Sequence, residues 1–283
     1  MRKIFVLASL AAAFSVAASA DTCSGTFGPG PGFQCGTDIT NGDVTVPTGF
    51  SSYLYVTTTG GATGAGNLPS VFGSPGVSST NGSTFTTSAF TTTAGELINF
   101  NFNYVTSDGA GYPDYAWAAL INPTAPSDPN SNYLIFSAET NPTAGGPTVP
   151  GYTMPPLATG AALVPPFSPI EAGTGTLGPG GAGGPVWAEL GSWSGYCYAV
   201  GCGLTGSNTP NWIESTFTGE KVGTYVLEFG VSNANDLSYD SGLAFAGVEV
   251  GGVPITGTPE PSSLALIGTV LALAFLSLRR KTA

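Results

Sequence analysis

Between residues 98 and 104 the chain alternates without a break: Ile98, Phe100, Phe102 and Tyr104 are apolar or aromatic, and Asn99, Asn101 and Asn103 are amides. Successive side chains of an extended strand leave on opposite faces, so this segment has one dry face and one polar face; a 3.6-residue helical period would scatter the amides around the axis. Other β-rich runs are Tyr53 to Thr58, Phe85 to Thr93, Tyr115 to Ile121 and Asn132 to Ala138. Trp212 to Phe217, Thr224 to Val231 and Leu243 to Val250 follow, and each run is bounded by Gly, Pro, Asp or Asn. No segment between them carries a helical period. The expected fold is all-β: two antiparallel sheets packed face to face in a jelly-roll-like sandwich. The stripe of Phe100, Phe102 and Tyr104 should face Tyr225, Leu227 and Phe229 across the core. Residues 141–185, dominated by Pro, Gly, Ala and Thr, read as an insertion in one domain, with an interdomain linker as the alternative. Within that stretch Gly173, Gly175 and Gly178 match a dinucleotide-binding pattern letter for letter. No strand precedes them and no helix follows, so the match is chance.

Both ends are processing signals. Arg2-Lys3, an apolar stretch from Ile4 to Val16 and Ala18-Ser19-Ala20 make residues 1–20 a signal peptide, with the exported chain starting at Asp21. At the other end Pro259-Glu260-Pro261 is followed by the apolar run Ser262 to Leu278 and then by Arg279-Arg280-Lys281. As a helix that run would span roughly 26 Å, enough to cross a bilayer core once, with the three cations holding its end in the cytoplasm. A plain C-terminal anchor is the bland reading. The order of motif, single apolar helix and basic stop resembles the PEP-CTERM sorting signal of Gram-negative bacteria. That resemblance implies that residues 258–283 are a sorting tail and that an exosortase is the processing partner. It also implies that the chain is held in the inner membrane only until cleavage, then passes to the cell surface or extracellular matrix, often beside an extracellular polysaccharide system. Residues 21–257 remain to fold.

In the exported segment Lys221 is the only basic residue against 16 acidic ones, a formal net charge of −15. Such a surface repels nucleic acid, which is excluded as a partner, and suits divalent cations and neutral sugars. The chain has no histidine, which removes the usual general base and the usual transition-metal ligand. With 16 Phe and 11 Tyr it is too aromatic for a disordered chain. Four cysteines in an exported protein read as two disulfides; loop closure favours Cys23 with Cys35 and Cys197 with Cys202.

Two acidic loops stand out. Thr106 to Ala116 carries Asp108 and Asp114, and Asn233 to Gly242 carries Asp240. Calcium takes several oxygen ligands from a loop that curls round it, so these three carboxylates are the candidate metal ligands; no other cofactor is expected. Turns in any sandwich also favour Asp, Asn and Gly, so capping without an ion is the plainer reading. The first loop resembles one seen in exported PEP-CTERM proteins, and Asp240 to Ala244 with Gly247 to Val250 looks like the closing strand of jelly-roll domains in surface and carbohydrate-binding proteins. Trp193 and Tyr196, beside the Cys197–Cys202 clip, are the candidate sugar-stacking residues, whereas Trp117 within a strand reads as core. The expected function is a non-catalytic module contacting extracellular polysaccharide. The alternatives are an acidic matrix protein without a specific ligand and a carboxylate-dependent glycoside hydrolase.

Overall fold

The computed structural model describes residues 22–24, 35–38, 41–164, 181–198, 201–205, 212–219 and 222–255. The signal peptide, the sorting tail with its expected transmembrane helix, and the Gly173–Gly178 match all lie outside the described residues. So do the side chains of Cys23 and Cys35.

Eight principal strands organise the body: β1 (Tyr53–Thr57), β2 (Ser79–Thr86), β3 (Leu97–Thr106), β4 (Tyr115–Ile121), β5 (Tyr133–Thr140), β6 (Ile213–Thr218), β7 (Gly223–Ala234) and β8 (Ser241–Val250). They form two antiparallel sheets with the orders β2-β7-β4-β5 and β6-β3-β8-β1, widened at their edges by shorter strands. The pairing is nested: β1 with β8, β2 with β7, β3 with β6 and β4 with β5. That pattern is a long antiparallel hairpin rolled on itself, the jelly roll expected from the sequence. Strands on both sides of the Pro/Gly-rich stretch share each sheet. Within the stretch, Pro147–Thr148 extends the edge at β5 and Ala161–Val164 the edge at β6.

The two sheets enclose an aromatic core. Phe100 meets Phe229 edge to face at 5.0 Å, Phe229 stacks on Phe245 at 3.8 Å, and Phe102 lies 4.2 Å from Phe136. The expected β3 and β7 stripes do face one another, with Phe245 and Phe136 as the partners that complete them. Loops cover the outer faces as well. Trp117 is buried outside the core between the sheets, donating its indole N–H to the Gly66 carbonyl at 2.9 Å; Trp187 and Trp212 are buried under the loops outside the other sheet. Gly230 on the neighbouring strand makes room for Trp117, since a Cβ there would lie 2.3 Å from the indole ring.

One strand differs from the expectation. The run Phe85 to Thr93 splits: β2 ends at Thr86, and Phe90–Thr92 forms a separate short strand on β7. The larger part of β2, Ser79 to Thr84, is Ser, Thr, Asn and Gly, a composition that reads as loop. It becomes a strand because β7 supplies a ladder from Glu228 to Ala234 along it.

Candidate functional site

Five strand ends converge at one end of the sandwich: β3 runs out at Thr106, β4 begins at Tyr115, β7 ends at Ala234, β8 begins at Ser241, and β1 ends at Thr57. This convergence brings Asp108, Asp114 and Asp240 together in a buried polar network. Asp114 accepts the Ala234 backbone N–H at 2.9 Å and the Ser241 hydroxyl at 2.7 Å. Asp240 accepts the hydroxyls of Thr58 at 2.8 Å and Thr59 at 3.0 Å. Asp108 accepts the Gly109 N–H at 2.8 Å through Oδ1, while its buried Oδ2 has no hydrogen-bond partner. Asp236, half-buried in the β7–β8 loop, accepts the Ser238 N–H at 3.0 Å in an Asx-turn.

Carboxylates gathered away from water resist ionisation. Burial, reinforced by Asp236 and Asp240, pushes Asp108 up to about 9. Burial and then Asp108 hold Asp114 well above the usual carboxylate range, and burial raises Asp240 and Asp236. Burial likewise brings Glu189 up to about 7. Among the described residues no group of three Cys, Asp or Glu side chains is disposed to hold a metal ion. Calcium at this end would share its carboxylate oxygens with the Thr58, Thr59 and Ser241 hydroxyls that already donate to them.

Above the network lies a continuous row of aromatic rings. Tyr196 packs edge to face on Trp193 at 6.4 Å, and Trp193 stacks on Tyr239 at 4.2 Å. Tyr239 lies 5.1 Å from Tyr198, which meets Tyr112 edge to face at 5.0 Å. Tyr196 is exposed and the other four are half-buried. Three loops supply the rings, and the one that carries Trp193, Tyr196 and Tyr198 is tied down at several points. The 3₁₀ turn Ala188–Trp193 is anchored by Trp187, buried against Tyr53 and Tyr55, and by the Glu189 carbonyl, which accepts the Thr57 hydroxyl at 3.0 Å and the Thr59 hydroxyl at 2.9 Å. The Cys197–Cys202 disulfide closes the next loop, and Tyr198 donates its N–H to the Ser107 carbonyl at 2.9 Å. Ser107 in turn donates its hydroxyl to the Asp240 carbonyl at 2.8 Å. Tyr239 itself has φ 58°, a left-handed backbone unusual for an aromatic residue.

The structure therefore brings together the five site residues expected from sequence, three carboxylates below and Trp193 with Tyr196 above. It adds Tyr112, Tyr198, Tyr239 and Asp236, which sequence reasoning missed. Tyr112, Tyr239 and Asp236 stand inside the two acidic loops, but a tyrosine among turn-formers carries no signal until the loops meet in space.

No curated protein and no solved structure matches the chain. Residues 258–281 match the PEP-CTERM protein-sorting motif. The chain therefore carries a PEP-CTERM sorting motif, consistent with an exosortase substrate, and the motif implies export with membrane-transit processing.

Proposed function

We propose that the exported body is a non-catalytic module that contacts extracellular polysaccharide at the cell surface or in the matrix, through the ring row Tyr196–Trp193–Tyr239–Tyr198–Tyr112. The observation that supports this reading is the row itself. Five partly exposed rings in unbroken contact, on loops held by a disulfide and by buried hydrogen bonds, offer flat apolar area at little ordering cost. A pyranose has an apolar face that such rings cover.

The test is retention of the full chain, purified in detergent micelles, on the producing organism's own extracellular polysaccharide. Trp193→Ala should weaken retention roughly tenfold while the melting temperature stays put, since covering one sugar face is worth on the order of 1 kcal/mol. No retention by the wild type would move the function to a matrix protein acting by bulk and charge. Release of reducing ends from the polysaccharide would make the protein a hydrolase. The melting temperature should be the same in calcium and in chelator; a rise in calcium would show an ion bound by the native state and bring Asp108, Asp114 and Asp240 back as its ligands.

A further inference from the structure

The second sheet is interrupted along one edge of β8. β3 occupies one side of β8; on the other side β1 pairs only from Gly242 to Phe245, and the short strand Val253–Pro254 folds back to pair with Glu249 and Val250. Between these two pairings lie Ala246, Gly247 and Val248, where β8 also slips its register against β3. The interruption opens as a groove of about 240 Å³, with Phe50, Leu54, Phe245, Val248 and Pro254 as its apolar walls and Glu249 as the only charged residue of its lining. Phe50 keeps 40 % of its surface exposed, and its ring sits over Gly247; that glycine has φ 63°, and a Cβ there would lie 2.4 Å from the ring. Val253, next to the groove residue Pro254, is 64 % exposed.

The chain runs from this groove into its sorting tail. Ile255 donates its N–H to the Val248 carbonyl at 3.0 Å and packs against the core, and the matched motif begins at residue 258. Pro259 follows Ile255 by four residues, so whatever path the chain takes, its Cα lies within about 14 Å of that of Ile255. A peptidase that grips Pro259-Glu260-Pro261 therefore works against the folded body, within reach of the groove that Pro254 lines. We infer that this groove is the surface on which the processing exosortase docks, with an apolar side chain of the enzyme seated against Phe50. A motif of three residues offers little to hold, and apolar area fixed beside it adds to the grip without a new diffusional encounter. β8 runs from the ring pole at Ser241 to the hairpin at Val250, so an enzyme docked here leaves the ring row free. The inference is independent of what the rings bind.

The experiment expresses the full chain in the producing organism with the photo-reactive analogue p-benzoylphenylalanine in place of Phe50, illuminates the membranes and identifies the adducts by mass spectrometry. The expected adduct joins the chain to the exosortase. Adducts confined to lipid, to a second copy of the chain or to its own tail, or no adduct at all, would overturn the inference. Tail removal is followed in the same cells. Phe50→Asp should slow it about tenfold, whereas Leu237→Asp, which places the same charge at an exposed apolar residue of the β7–β8 loop, should leave it unchanged. If Phe50→Asp melts early, Val253→Asp on the exposed hairpin decides in its place, and normal processing in the variant that folds would overturn the docking. Inserting about ten Gly and Ser residues between Ile255 and Thr256 separates the groove from the motif and should slow processing as well. Faster processing after that insertion would make the body an obstacle to the enzyme and would overturn the inference too.

Discussion

Tyr239 carries two opposed demands in one residue. Its ring stacks on Trp193, but its left-handed backbone, φ 58°, costs on the order of 1 kcal/mol that glycine would not incur. Tyr239→Ala and Tyr239→Gly lose the same ring, so their difference isolates the backbone term. The glycine variant should be the more stable by about 1 kcal/mol in denaturant unfolding, and both should lose polysaccharide retention alike. A more stable alanine variant would mean that the loop relaxes out of the left-handed region. Asp108 is the other informative residue. Asp108→Asn keeps an oxygen for the Gly109 N–H and removes a carboxyl that burial holds at about 9. The variant should therefore be more stable than the wild type in alkaline buffer, by an amount on the order of a few kcal/mol, and nearly equal to it in acid. No gain in alkali would show that water reaches Oδ2 and that the burial is incomplete.

At the scale of elements, the ring row depends on how the segment from Ala188 to Leu204 is tied down. The Cys197–Cys202 link closes a loop of sequence separation 5, and the Gly203–Leu204 strand beyond it pairs with the end of β3. Cys197→Ala together with Cys202→Ala should cost about 2 kcal/mol of stability. It should also weaken retention more than its effect on the melting temperature explains, because Tyr196 and Tyr198 lose their fixed backbone. Unchanged retention would mean that the Tyr198 N–H bond to Ser107 suffices to hold them. The legibility of the elements follows the chemistry of their side chains. β3, β4 and β7 could be read from sequence because alternation or an aromatic run marks them. β2 could not, since Ser79 to Thr84 offers no apolar face, and its strand character comes from the β7 ladder beside it.

For the whole molecule, the shifts of the buried acids all run one way. Asp108, Asp114, Asp236, Asp240, Glu139, Glu189 and Glu228 are each raised by burial. An acid held above its ordinary value keeps its proton to a higher pH in the folded state than in the unfolded chain. Its contribution is therefore fully present below the ordinary value, 3.8 for aspartate, and is lost as pH rises towards the folded value. The melting temperature should be highest in mild acid and fall steadily from about pH 4 to about pH 9. Self-repulsion of a body of net charge −15 acts in the same direction, so added salt should recover part of the loss at alkaline pH. A melting temperature that rises from pH 4 to pH 8 would contradict the buried network.

Sequence alone determined the properties that short-range pattern or composition encodes. The sorting tail is a contiguous motif with an apolar run and a basic stop, the strands are a period of two, and the missing cations and histidines are a matter of counting. The two-layer architecture follows from those strands, because a one-sided apolar strand must bury its face against another sheet. What only the tertiary structure decided is which distant residues share a place. Tyr112, Tyr239 and the segment that carries Trp193, Tyr196 and Tyr198 lie on three separate loops and become one row only when nested pairing brings the ends of β3, β7 and β1 to the same pole of the sandwich. Asp108, Asp114 and Asp240 were visible as acids, but their burial and their shared field exist only where those loops close over one another. Contacts of that kind depend on which strands pair, a non-local choice made by the whole chain burying its core at once.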